Sequence, residues 1–137
     1  MMSPVEFLRN RFGLPEEWLQ GLETVTEQAT VFIGTPEVIR FNVVKPLRRG
    51  LRLCRIFPHS VKPTTFAMQL LGRKATANQI EVDEQQAKQL INGGTVETAA
   101  DVENGFVLIS WRSFIIGVGI YKRPVLKSCI PRFRPVD

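Results

Sequence analysis

Apolar and polar residues follow two periods along this chain, and the period changes where turn residues stand. Ser3-Pro4 with Glu6 close behind is a helix start of the capping-box kind. Val5, Phe7, Leu8 and Phe12 supply its apolar face, and Gly13 ends it. Leu14-Pro15-Glu16-Glu17 opens a second helix, with Pro15 expected at the first helical position and Trp18, Leu19 and Leu22 on the apolar side. Short strands are expected around Val25 and over 29–33, and Gly34-Thr35-Pro36 turns into a short helix over 37–41. From Leu47 to Phe57 the alternation is strict. Leu47, Arg49, Leu51, Leu53 and Arg55 point one way, and Arg48, Gly50, Arg52, Cys54 and Ile56 the other. A strand edged with arginines is either a ledge for nucleic acid or a sheet edge protected against pairing.

Further on, a helix is expected over 63–71, with Pro63 at its first position and Gly72 just past its end. Phe66, Met68, Leu70 and Leu71 are assigned to the core. A strand over 79–82 leads into a helix capped by Asp83 and closed by Asn92-Gly93-Gly94. Segments 95–98, 105–112, 113–121 and 125–131 complete a β run. Gly117-Val118-Gly119 lies inside that run with no third glycine and no following helix, so a bend or close approach in a curved barrel explains it better than a dinucleotide loop. Phe114 is expected inside the barrel, whereas Trp111 and Phe133 suit either core or base stacking. The order of elements predicts an α+β protein: a small mixed α/β unit over 1–45, then a β-rich pseudo-barrel with two helices over 46–137.

At 137 residues the chain holds one domain, or two small ones sharing a core. No apolar run reaches the ~18 residues of a membrane span, and Glu6, Arg9 and Arg11 interrupt the first apolar pattern, so neither a membrane segment nor a secretory signal is expected. Cys54 and Cys129 are far apart and His59 is the one histidine, which argues against a metal site and for reduced thiols in the cytoplasm. Nothing orients Cys54 and His59 as a nucleophile and base, and Asp83 and Glu84 read as acids of a helix start. No cofactor and no catalytic group are expected.

Charge is segregated. From Arg40 to Lys74 there are nine Lys or Arg and no acid, and from Asn104 to Val136 there are six, again with no acid. Between them, Glu81 to Glu103 holds six acids against Lys88 alone. Such a distribution gives a directional field that steers polyanions. The candidate RNA-binding residues are Arg52, Arg55, Lys62, Arg73, Lys74, Lys122, Arg123, Lys127 and Arg132. Lys62 and Lys127 are expected to meet phosphate as point charges, and Arg123, with its planar fork, to make a base-specific or stacked contact.

Three blocks carry a family resemblance. Arg11-Phe12-Gly13-Leu14-Pro15-Glu16-Glu17 opens the chain. Lys62-Pro63-Thr64-Thr65 through Gly72, then Ala75-Thr76-Ala77-Asn78 and Glu81-Val82-Asp83, form the middle. Gly105-Phe106-Val107, Ile116-Gly117-Val118-Gly119 and Leu126-Lys127-Ser128-Cys129-Ile130-Pro131 form the end. In this order the blocks resemble a pre-PUA domain followed by a PUA-type RNA-binding domain. They are similar to the C-terminal part of the Nop/Sun family of RNA cytosine-5 methyltransferases and to related ribosome-biogenesis factors. The resemblance implies binding of structured rRNA or tRNA, presented to a separately encoded RNA methyltransferase or to an assembling ribosomal particle. It does not imply catalysis. The family's enzymes carry a Gly-rich S-adenosylmethionine loop and cysteines after Pro and Thr, whereas Cys54 follows Leu53 and Cys129 follows Ser128. The competing expectation is a protein-interaction module whose basic face binds an acidic partner.

Overall fold

Each α-helix of the computed structural model, which describes residues 2–40 and 50–132, begins beside a Ser, Thr or Asp that holds an otherwise unpaired backbone N–H. Ser3 accepts from the Glu6 N–H ahead of α1 (Pro4–Phe12), and Thr35 from the Val38 N–H at α2 (Pro36–Arg40). Thr64 accepts from the Ala67 N–H at α3 (Thr65–Leu71). Asp83 and Gln86 close a reciprocal capping box on α4 (Glu84–Ile91). Gly13 ends α1 in the left-handed region, at φ 60.

The helix expected at Pro15 is instead a single 3-10 turn over Glu16–Leu19, with Pro15 as its cap. The Trp18 indole N–H donates to the Leu71 carbonyl, which ties this short segment to the end of α3. Pro63 is likewise not helical. It ends a strand at the edge of a sheet, where a missing N–H costs no ladder bond, and Thr64 takes over the capping.

Two sheets form. β1 (Glu23–Glu27), β2 (Thr30–Gly34), β3 (Leu51–Phe57) and β4 (Ser60–Pro63) make an antiparallel meander in chain order. β5 (Gln79–Glu81), β6 (Thr95–Glu97), β7 (Gly105–Trp111), β8 (Phe114–Lys122) and β9 (Val125–Ser128) make the second sheet, ordered β5-β7-β8-β9-β6. Only its β5–β7 pairing is parallel. This second sheet is curled into a half-barrel, so the expected α+β class with a pseudo-barrel and two helices holds. α3 packs on β8 and β3, and α4 on β6 and β9.

α3 lies between the sheets, and the main core is therefore shared. Leu8 and Phe12 of α1, Leu53 of β3 and Met68 of α3 meet Leu108 of β7 and Val118 of β8, all without solvent exposure. A second cluster under α4 holds Ile80, Leu90, Val107, Ile109, Tyr121 and Leu126. The buried Tyr121 hydroxyl donates to the Thr98 carbonyl at 2.7 Å and accepts from the Ala100 N–H at 3.0 Å. The division expected between residues 45 and 46 lies outside the described residues; on its far side β3 and β4 are hydrogen-bonded to the first sheet.

The glycines of β8 act as expected. A Cβ on Gly119 would stand 2.9 Å from the Lys127 carbonyl oxygen and 2.9 Å from Leu126 Cδ1. One on Gly117 would stand 2.3 Å from Ile130 Cγ1. Neither position leaves room for a side chain.

Three placements differ from expectation. Phe66 and Leu70 of α3 are 60% and 71% exposed rather than core. Phe114 is 72% exposed because it sits at the tight β7–β8 turn, outside the barrel. The strict alternation of β3 is broken by a β-bulge, described next.

Candidate nucleic-acid interface

β3 carries one residue more than its partner. Val31 pairs with Cys54 and Phe32 with Arg52, leaving Leu53 unpaired. Such a bulge shifts the facing of every residue beyond it by one. Leu53 and Cys54 consequently both turn inward and are fully buried. Arg52 and Arg55, expected on opposite faces, stand instead on one face, together with Thr30 and Phe32. Lys62 of β4 is paired directly with Arg55 and joins the same face.

These residues line a groove of about 760 Å³. Arg52, Arg55 and Lys62 supply its charge, while Phe32, Leu51, Phe66 and Pro131 supply apolar surface. Cys129, half-buried, and the buried Cys54 lie along it. Among the described residues, no Asp or Glu lines it. The Thr64 hydroxyl donates to the Arg52 carbonyl, which ties the start of α3 to the bulged strand. The Arg55 guanidinium lies 5.8 Å from the centre of the Phe57 ring. Burial pushes the Cys54 thiol up to about 12, so this cysteine is no nucleophile at neutral pH.

The other candidate residues do not share this groove. Arg73 and Lys74 follow α3 near the β7–β8 turn, since the space beside Gly72 is filled by Ile115. Lys122 and Arg123 stand at the opposite end of β8, where the Arg123 backbone N–H donates to Asn104 Oδ1 at 3.0 Å. Lys127 is exposed on β9 opposite Thr95 and Ile120. The stem of Arg132 lies over Gly93, at the turn after α4. The set thus divides into one groove of three cations and several separate exposed cations.

Aromatic placement is equally divided. Trp111 packs against the second core cluster, and its face is covered by its neighbour Arg112, 4.6 Å from the ring centre. Phe133 lies outside the described residues. Phe66 is the aromatic ring that reaches the groove while largely exposed.

Sequence reasoning missed the role of Arg11. Its Nε donates to the Phe106 carbonyl at 3.0 Å, and Nη2 to the Glu103 and Asn104 carbonyls at 2.9 and 3.2 Å. Nη1 meets the Glu103 carboxylate at 3.0 Å. Burial lowers its pKa, with Glu103 opposing that shift. Arg11 is therefore committed to holding α1 against the second sheet, and no local pattern in the sequence marks this.

A second concavity, about 520 Å³, is lined by residues 75–79 and 101–103. It carries Asp101 and Glu103, the wrong sign for phosphate. Among the described residues, no group of three His, Cys, Asp or Glu could hold a metal ion, and no helix is long and apolar enough to cross a membrane.

Residues 77–134 match the family model described as the Methyltransferase RsmF PUA domain. This chain carries a PUA-type domain. It resembles the C-terminal part of Sun-family methyltransferases, as expected from the sequence blocks. The matched segment spans β5 to β9 with α4, and a match to a methyltransferase PUA domain points to RNA binding. A comparison with curated proteins finds no match.

Proposed function

We propose that this chain is a non-catalytic RNA-binding module of the cytoplasm that positions structured rRNA or tRNA for modification by a separate methyltransferase or for ribosome assembly. In this reading the N-terminal α/β part serves as a pre-PUA domain beside the PUA-like part. The observation that carries it is the facing of Arg55 and Lys62 across β3 and β4, with Arg52 on the same face and no acid among the described residues that line the groove. Like charges directly opposed across a sheet cost stability. A phosphate between them turns that repulsion into attraction, and backbone contacts of this kind hold RNA without reading its sequence.

Filter binding of the full chain to bulk tRNA and to an rRNA fragment, from low to moderate salt, tests the reading. Affinity is expected to fall steeply with salt. The substitutions Arg52→Gln, Arg55→Gln and Lys62→Gln together should flatten the log–log slope by about two, from three cations at roughly 0.7 each on single-stranded contacts. A salt-independent affinity, or binding of polyglutamate without RNA, overturns it in favour of an acidic protein partner. With labelled S-adenosylmethionine and whole-cell RNA, no methyl transfer is expected. Incorporation that Cys54→Ala or Cys129→Ala abolishes overturns the non-catalytic part.

A further inference from the structure

The three cations explain attraction to RNA, but they leave Phe66 unexplained. Phe66 is 60% exposed on α3, and covering such a ring would add stabilisation that water does not give it. Nor is Phe66 isolated. It lies along the same groove as Arg52, Arg55 and Lys62, where Phe32 and Pro131 extend the apolar surface. The groove therefore has two chemistries side by side: a phosphate-seeking face built by the bulged strand and its neighbour, and an open aromatic ring on α3.

Resting on the RNA-binding reading above, we propose that this groove takes an unpaired RNA segment, with the backbone phosphates against Arg52, Arg55 and Lys62 and one base stacked on Phe66. A duplex hides the faces of its bases and offers phosphate alone, so it can use the cations but not the ring. A single strand offers both, and stacking on an aromatic ring tolerates any base because every base has a π-face. Among the described residues none lining the groove is an acid, although Glu27, opposite Thr30 on β1, stands on the same sheet face. A carboxylate side chain would satisfy the cations but has no aromatic face for Phe66. The chemistry thus favours a nucleotide over a carboxylate partner. The groove also combines β3, β4 and α3 with Pro131, so most of it lies outside the segment matched to the PUA domain, residues 77–134. It is a site of the whole chain.

The experiment compares the full-length protein with its Phe66→Ala and Phe66→Tyr variants on two probes at one salt concentration: an unstructured octanucleotide and a blunt RNA duplex of equal strand length. Because the ring is exposed, equal melting temperatures for all three proteins should show that the fold is intact. Phe66→Ala is expected to weaken the single strand about tenfold, within the range for loss of one stacked base, and to leave the duplex unchanged. Phe66→Tyr should keep single-strand affinity. As a second readout, the octanucleotide should slow alkylation of the half-buried Cys129 by iodoacetamide, because this thiol lies along the groove. Equal loss on both probes, or no loss on either, overturns the stacking proposal while leaving RNA binding standing. Failure of the wild-type chain to bind either probe overturns the RNA reading itself.

Discussion

At the scale of single residues, the groove is defined as much by what is inert as by what is charged. Cys54 lies along it without solvent exposure, and burial raises its thiol from 9.0 to about 12. A folded-state value above the unfolded one means that the fold favours the neutral thiol. That contribution is complete below about pH 9 and drains away as pH climbs towards about 12. Cys54→Val should therefore lose less stability between pH 8 and pH 10.5 than wild type does. Urea midpoints at the two pH values check this; parallel losses in the two proteins would show that other groups dominate the alkaline limb.

At the scale of elements, most signals were visible in the sequence. The caps at Ser3 and Asp83 and the glycines of β8 follow local rules that act within a few residues. Gly119→Val is expected to cost about 1–3 kcal/mol by overpacking, since its side chain would run into the Lys127 carbonyl and Leu126. Thermal melting measures it, and a wild-type melting curve would exclude close approach as the reason for this glycine. What the sequence could not show is which side of α3 is buried. Apolar residues stand at 66, 67, 68, 70 and 71, nearly all round the helix, so no amphipathic stripe singles out a face. Packing against β8 and β3 selects Ala67 and Met68, and Phe66 and Leu70 are left outside. The arginine ledge was legible as a strand but not as a face, because the bulge at Leu53 depends on its pairing with β2.

At the scale of the whole molecule, the two sheets share a core, and α1 is fastened to the second sheet by the Arg11 side chain. Arg11, at the end of α1, spends three N–H groups on the carbonyls of residues 103, 104 and 106. Arg11→Ala should destabilise the protein by about 1–3 kcal/mol, since the part-buried Phe106 carbonyl loses its donor. Arg11→Lys should rescue little, because an ammonium cannot reproduce the planar fork. Glu103→Gln should shift stability by no more than about 0.5 kcal/mol, because that carboxylate is 79% exposed. Chemical denaturation of the three variants gives the ranking. A large effect of Glu103→Gln with a small effect of Arg11→Ala would transfer the role from the carbonyls to the ion pair. The same arrangement separates the fields: acids Asp101 and Glu103 border one concavity, and the three cations line the other.

The bulge in β3 also changes what a basic strand looks like in a sequence. A regular strand displays a charged row as every second residue, so a search for such rows looks for Arg-x-Arg. Here the two guanidinium groups that share a face are written Arg52-Leu53-Cys54-Arg55, a spacing that would ordinarily be taken for one turn of helix. The two apolar letters between them record the dislocation, because a strand that buries two consecutive side chains has slipped by one. Basic residues three apart around a buried apolar pair, inside an otherwise alternating stretch, are thus the written form of a bent, charged ledge.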